Sequence, residues 1–219
     1  MRNSIIALAV AALSGSSAMA AMVTYNGTFP LASTNIPSTP ITLQQWDPAA
    51  FGVTAADLVS VKVELTGRAF GRTRLENLDI TPSVANYNVS ASVTLVGPGG
   101  VNITALPVTA GFANLTAYDG VTDFAGPSGF DTGFINASPN TQSFTLFAGF
   151  GAYIGAGNIA GLNLSASGTS GGSGGGNLIF QSTTDAGGDF SVTYTWIPAP
   201  SSAALLGLGG LLAARRRRN

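Results

Sequence analysis

The residues that could do chemistry are defined first by what is missing. The chain has neither histidine nor cysteine. A Ser-His-Asp or Cys-His arrangement cannot be built, and imidazole or thiolate metal sites, structural zinc and iron–sulfur clusters are excluded with it. What remains is carboxylate chemistry. Glycoside hydrolysis needs only an acid paired with a nucleophile or base, and the candidates are Glu64, Glu76, Asp79, Asp119, Asp123 and Asp131. Glu64 alternates with apolar residues and so faces outward near Lys62, as a surface cross-strand pair would. Glu76-Asn77-Leu78-Asp79 reads as a turn between strands. We therefore expect no catalytic residues.

Three acidic residues share one long segment. Asp119, Asp123 and Asp131 lie between Leu115 and Gly133, among Asp119-Gly120 and Gly126-Pro127 turn signals. They could offer hard oxygen ligands to calcium, with backbone carbonyls completing the shell. Their spacing matches neither an EF-hand nor the Gly/Asp nonapeptide repeat, and Asp-Gly and Gly-Pro are also what plain turns are made of. The expectation is no cofactor, with calcium as the one metal these residues could hold. Trp46, in Gln44-Gln-Trp-Asp-Pro48, lies near a turn where its ring could be exposed to a sugar; Trp196 lies on an apolar face and reads as core. Arg68, Arg72 and Arg74 gather around a presumed hairpin, Gly67 to Leu75. They could touch an acidic polysaccharide, or equally blunt a solvated edge strand.

The elements that must position these groups are strands. In Phe190-Ser-Val-Thr-Tyr-Thr-Trp196, Phe190, Val192, Tyr194 and Trp196 face one way and the hydroxyl residues the other. That alternation marks a half-buried antiparallel strand. Val59, Val61, Val63 and Leu65 repeat it, as do Tyr87, Val89, Ala91, Val93 and Leu95. Further strands are expected over 22–29, 101–108, 143–147, 158–164 and 177–182. Gly97-Pro-Gly-Gly100, Gly126-Pro-Ser-Gly129 and Asp185-Ala-Gly-Gly188 separate them as turns. Gly168 to Gly176, with six glycines, reads as a long exposed hairpin loop. Many short strands at such spacing predict an all-β, antiparallel β-sandwich in a single domain.

Two terminal segments stand apart from that domain. Met1-Arg2-Asn3, the apolar run Ile5 to Leu13 and the small residues ending in Ala18-Met19-Ala20 have the plan of a secretory signal peptide, with cleavage between Ala20 and Ala21. At the other end, Pro198, Ala199 and Pro200 precede an apolar run, Ala203 to Ala214, and then Arg215, Arg216, Arg217 and Arg218. Twelve residues make roughly 18 Å of helix against about 30 Å of bilayer hydrocarbon. Such a run suits a transient inner-membrane anchor, and the arginines bias that end to the cytoplasm. The expected division is 1–20 signal peptide, 21–197 β-sandwich ectodomain and 198–219 hydrophobic helical tail. Between Ala21 and Ile197 only Lys62, Arg68, Arg72 and Arg74 are basic against ten acidic residues, a net charge of −6. Such a domain is a poor partner for nucleic acid or an anionic membrane. Without cysteine, no disulfide can staple it after export.

The tail resembles the PEP-CTERM sorting signal, in its Pro198-Ala-Pro-Ser201 motif, Leu/Gly/Ala run and terminal arginines. The family has glutamate where Ala199 stands here. The resemblance implies export through the Sec translocon and signal peptidase, then processing near Pro198–Pro200 by an exosortase-like membrane enzyme, with delivery to the cell surface or extracellular space. The body is similar to the choice-of-anchor E domain over Leu58–Gly67, Leu75–Leu78, Thr94–Gly100, Leu115–Phe124, Gly168–Leu178 and Val192–Thr195. That likeness implies a bacterial surface β-domain and transfers no functional residue. The expectation is an exported structural or adhesive protein of the cell surface or matrix. The alternatives are an exopolysaccharide-binding module, favoured by exposed aromatics around Trp46 or a cleft beside Arg68–Arg74, and a carboxylate-based glycosidase.

Overall fold

Period-two alternation runs from Val61 to Leu75 and again from Phe190 to Trp196, and these stretches lie within the two longest strands of the computed structural model, which describes residues Met19–Pro198. They are β3 (Leu58–Asn77) and β12 (Leu178–Trp196), paired antiparallel along their whole lengths. β1 (Ala21–Ser33) adds to the free side of β12, with Ala21 opposite Trp196. Along the other side of β3 lie three short strands. β9 (Asn140–Leu146) pairs with Val61–Gly67, β8 (Ile135–Asn136) with Phe70 and Gly71, and β7 (Gly129–Asp131) with Arg74–Glu76. β3 is therefore interior to this first sheet.

The second sheet is built around β4 (Ser83–Val96). One side of β4 is lined by β5 (Asn102–Ala105) and then β6 (Val108–Leu115), in effect one strand broken at Leu106-Pro107, where proline has no amide to donate. The other side carries β10 (Asn163–Gly168) and β11 (Gly171–Gly174), and β2 (Ile36–Pro40) pairs β10. At the break between β10 and β11, Ser90 bonds Ser170 Oγ through its amide and Thr169 Oγ1 through its hydroxyl.

The two sheets face each other as an antiparallel sandwich in a single domain, as the alternation predicts. Val61, Val63 and Leu65 of β3, Val192 and Tyr194 of β12 and Val89, Val93 and Leu95 of β4 are fully buried. Each such side chain contributes about 1.5–3 kcal/mol relative to exposure. A smaller cluster, Leu75, Ala85, Ala113 and Leu115, closes the far end.

Several expected boundaries are corrected. Asp185-Ala-Gly-Gly188 is no turn but the middle of β12. A Cβ on Gly187 would come within 2.7 Å of the Phe29 carbonyl, and one on Gly188 within 2.8 Å of the Thr66 carbonyl, so these glycines permit close approach of neighbouring strands. Gly67 to Leu75 is likewise continuous strand, not a hairpin, and Glu76 and Asn77 belong to β3, not to a turn. The Gly168–Gly176 loop contains β11. The strand expected over 101–108 splits into β5 and the start of β6, and the one over 158–164 begins only at Asn163. Val59 is exposed and Leu58 buried, because a register shift between Thr195 and Trp196 reverses the faces there.

Ala20 and Ala21 stand at the entry to β1, and Pro198 lies two residues beyond β12. The expectations for Ala18, for Ala199 and Pro200, and for Arg215 to Arg218 lie outside the described residues. Among the described residues no helix is long and apolar enough to cross a membrane.

Candidate functional site

The alternation that buries Val61, Val63, Leu65, Ala69 and Leu75 sends Arg68, Phe70, Arg72 and Arg74 to the opposite, outward face of β3. Because β3 is flanked on both sides, this row is no edge strand blunted by charge; that expectation is corrected. The arginines instead stand mid-sheet, between β12 and the β7–β9 side. In the register Arg72 stands opposite Thr183 and Arg74 opposite Gln181 on β12, while Asp131 on β7 is opposite Arg74.

Arg72 grips Asp131 with two hydrogen bonds, Nε to Oδ1 at 2.7 Å and Nη2 to Oδ2. The amide of Gly133 also donates to Oδ1. The Arg72 bonds are the main reason the Asp131 carboxyl is held below its usual range; partial desolvation opposes them. The Arg74 Nε lies 3.5 Å from Oδ2 of the same carboxylate. Phe134 lies over the Arg72 guanidinium, 5.6 Å from ring centroid to charge, and stacks on Phe70 at 5.5 Å. Even so, Phe134 remains 60% exposed. Arg72, Arg74, Phe134, Gln181 and Thr183 line a shallow cleft of about 180 Å³. Further along the row, Arg68 pairs across strands with Asp189 at 3.2 Å. Lys62 pairs with Glu64 two residues on along β3 itself, so the expected cross-strand pair is corrected to one within a strand.

The sequence pointed to the arginines and missed Phe134, Gln181 and Thr183. Gln181 and Thr183 alternate along one strand. Thr183 lies just past the expected strand end and before the supposed turn at Asp185, which hid its continuity with Gln181. Phe134 follows directly on Asp131-Thr-Gly133, and an aromatic residue in a turn-rich segment is the signal that could have found it.

The other candidates are distributed differently. Trp46 is fully buried, tilted against Trp196 at 5.5 Å and stacked with Phe51, so the reading of an exposed sugar platform is corrected. The segment around it pairs with the core edge through Trp46 N to Tyr153 O at 2.9 Å, which draws the ring inward. Trp196 is core, as expected.

Glu76 is also fully buried. Its carboxylate accepts from Phe124 N at 2.6 Å and from Ser128 Oγ at 2.7 Å. Next to it Asn77 donates to the carbonyls of Thr81 and Thr116. These two side chains clamp the segment leading from β6 to β7. Asp119 and Asp123 each accept from an amide two residues on, from Val121 and Ala125, which makes them turn formers. Asp131 is taken by Arg72. The three calcium candidates are thus engaged separately, and among the described residues no group of three or more acidic side chains could hold a metal ion.

No family model matches the chain, and no curated protein matches it. Among solved structures, a chain of infectious bursal disease virus Gx strain is similar at 16% identity and a TM-score of 0.14, over 98% of this chain and 55% of that one. A chain of an infectious bursal disease virus VP2 subviral particle is similar at 12% identity and a TM-score of 0.16, over 98% of this chain and 54% of that one. This chain spans about half the length of those it matches, and at such TM-scores the likeness carries no argument.

Proposed function

We propose that the chain is an exported, non-catalytic binding domain of the bacterial cell surface or extracellular matrix, and that it adheres to polysaccharide through the outer face of β3. The signal-like N-terminus and the PEP-CTERM-like tail support export and sorting. One observation carries the binding reading: an exposed aromatic ring, Phe134, beside the polar side chains of Arg72, Arg74, Gln181 and Thr183 in a cleft on the outer face of β3. A pyranose ring needs both an apolar face to lie on and hydrogen-bonding side chains at its rim, and this cleft offers both. With Trp46 buried, the cleft beside the arginine row is the feature that favours polysaccharide over a purely structural role. The glycosidase alternative is weaker, because Glu76 and Asp131 are committed to neighbouring donors.

The test is binding of the chain to a panel of neutral and acidic bacterial polysaccharides, with Phe134→Ala as the comparison. Retention by at least one polysaccharide, weakened about tenfold in the variant, is the expected result. Equal retention of both proteins would move binding off this face, and no retention on any member would leave a structural domain.

A further inference from the structure

The two arginines of the cleft are not equivalent. Both oxygens of Asp131 are taken by Arg72, so that pair is electrically closed. Arg74 has only the 3.5 Å approach of its Nε to the same carboxylate, and its side chain is 32% exposed. Among the described residues it donates no hydrogen bond, nor do the Gln181 amide and Thr183 hydroxyl beside it in the cleft. A guanidinium is always charged and presents a fork of N–H donors that fits a planar carboxylate or a sulfate oxygen pair. Arg72 and Arg74 together carry two positive charges against the single negative charge of Asp131. The local excess lies on Arg74, and the domain around it is acidic overall.

We propose that Arg74 is an anion-binding group and that the ligand is an acidic polysaccharide, with a sugar carboxylate or sulfate ester on Arg74 and the adjoining ring against Phe134. This rests on the polysaccharide reading above and names its chemical class. Arg72 does not compete for the anion, because Asp131 already fills its fork and Phe134 covers its face. Gln181 and Thr183 supply the hydroxyl contacts from β12. A net charge of −6 over the domain repels a polyanion at long range, so attachment depends on this local site and weakens with salt as the pair is screened.

The experiment is electrophoresis of the whole chain through native gels containing polygalacturonate, dextran sulfate or neutral dextran. Retardation is expected with at least one acidic polymer and not with dextran, and which acidic polymer acts tells carboxylate from sulfate. Arg74→Ala should lower the affinity about tenfold, Arg74→Lys should recover part of it, and Lys62→Ala, on the same face but away from the cleft, should change nothing. Unchanged melting temperatures establish that the variants are folded. Equal retardation of wild type and Arg74→Ala would overturn the proposal. Retardation by dextran alone would overturn it too while leaving the polysaccharide reading intact; no retardation by any polymer would overturn both.

Discussion

Asp131 stands opposite Arg74 in the strand register, yet its carboxylate is bonded by Arg72, one outward position further along β3. The diagonal pairing leaves one guanidinium satisfied and the next one open. It also ties β7, a strand of three residues, to the middle of the sheet.

The pair should register in the acid limb of stability. The Asp131 carboxyl is held below its ordinary value of 3.8, chiefly by the Arg72 bonds. A depressed carboxylate contributes stability that is present above its unfolded pKa and lost as pH falls through the folded one. We expect Asp131→Asn to melt below wild type at pH 7, by an amount on the order of 1 kcal/mol for a partly exposed pair. The two melting temperatures should converge as pH falls below 3.8. A gap that does not narrow at all as pH falls below 3.8 would mean that the cost comes from packing around Gly133.

Two buried phenols set the alkaline limb. Burial pushes Tyr153 up to about 12, and Tyr194 is raised further, mainly by burial and then by the neighbouring Tyr153 and Tyr25. Their hydroxyls donate to the carbonyls of Pro98 and Gln44. A raised phenol contributes stability fully present below the unfolded value of about 10 and lost as pH climbs toward the folded one. Phenolate absorbance from these two should therefore appear together with the loss of tertiary circular dichroism above about pH 11. Their ionisation in a still-folded protein near pH 10 would contradict the packing.

Trp46 belongs to an aromatic cluster with Phe51 and Trp196, whose rings lie 4.7 Å apart. Truncating it to alanine should cost about 3–5 kcal/mol in a denaturant titration. Trp46→Phe should cost less, because the indole Nε1 is buried without a hydrogen-bond partner among the described residues and its loss leaves nothing unpaired. Polysaccharide retention by Trp46→Phe should equal that of wild type, and a selective loss of binding would restore Trp46 as a contact residue.

Glu76 should hold the segment between β6 and β7 in place. Glu76→Gln turns an amide donor toward one of two existing donors, the Phe124 amide or the Ser128 hydroxyl, at a cost of about 1–3 kcal/mol. Limited proteolysis should then cut between Ala117 and Pro127 much faster than in wild type. Resistance equal to wild type would show that Asn77 alone suffices to clamp the segment.

Processing can be read by intact mass. Protein recovered from cells should begin at Ala21, lack Arg215–Arg218 and be found outside the inner membrane. A full-length C-terminus in the inner-membrane fraction would mean that Ala199 does not serve the processing enzyme.

Where polarity alternates, the strands were legible. The inward sets of β4 and β12 follow directly from Val89, Ala91, Val93, Leu95 and from Phe190, Val192, Tyr194, Trp196. Glycine misled the reading of Gly67–Leu75 and Asp185–Gly188, since the same residue that permits a turn also lets adjacent backbones approach in a sheet. That error placed the arginines on an edge. Burial of Trp46 and Glu76 depends on partners far along the chain, Trp196 and Ser128, and no local pattern carries those contacts. The cleft combines β3, β12 and the turn after β7, so only the assembled sheet brings Phe134 to Arg72.

The pairing of Ala21 with Trp196 means that both ends of the sandwich leave from one pole. Gln181, beside Arg74, lies fifteen strand residues from Trp196, roughly 50 Å at about 3.3 Å each. A molecule held through the residues after Trp196 would carry the cleft far from its point of attachment, toward the opposite pole of the sandwich. The length of β3 and β12 would then set that separation, and shortening both strands together would draw the cleft back toward the pole where the chain enters and leaves.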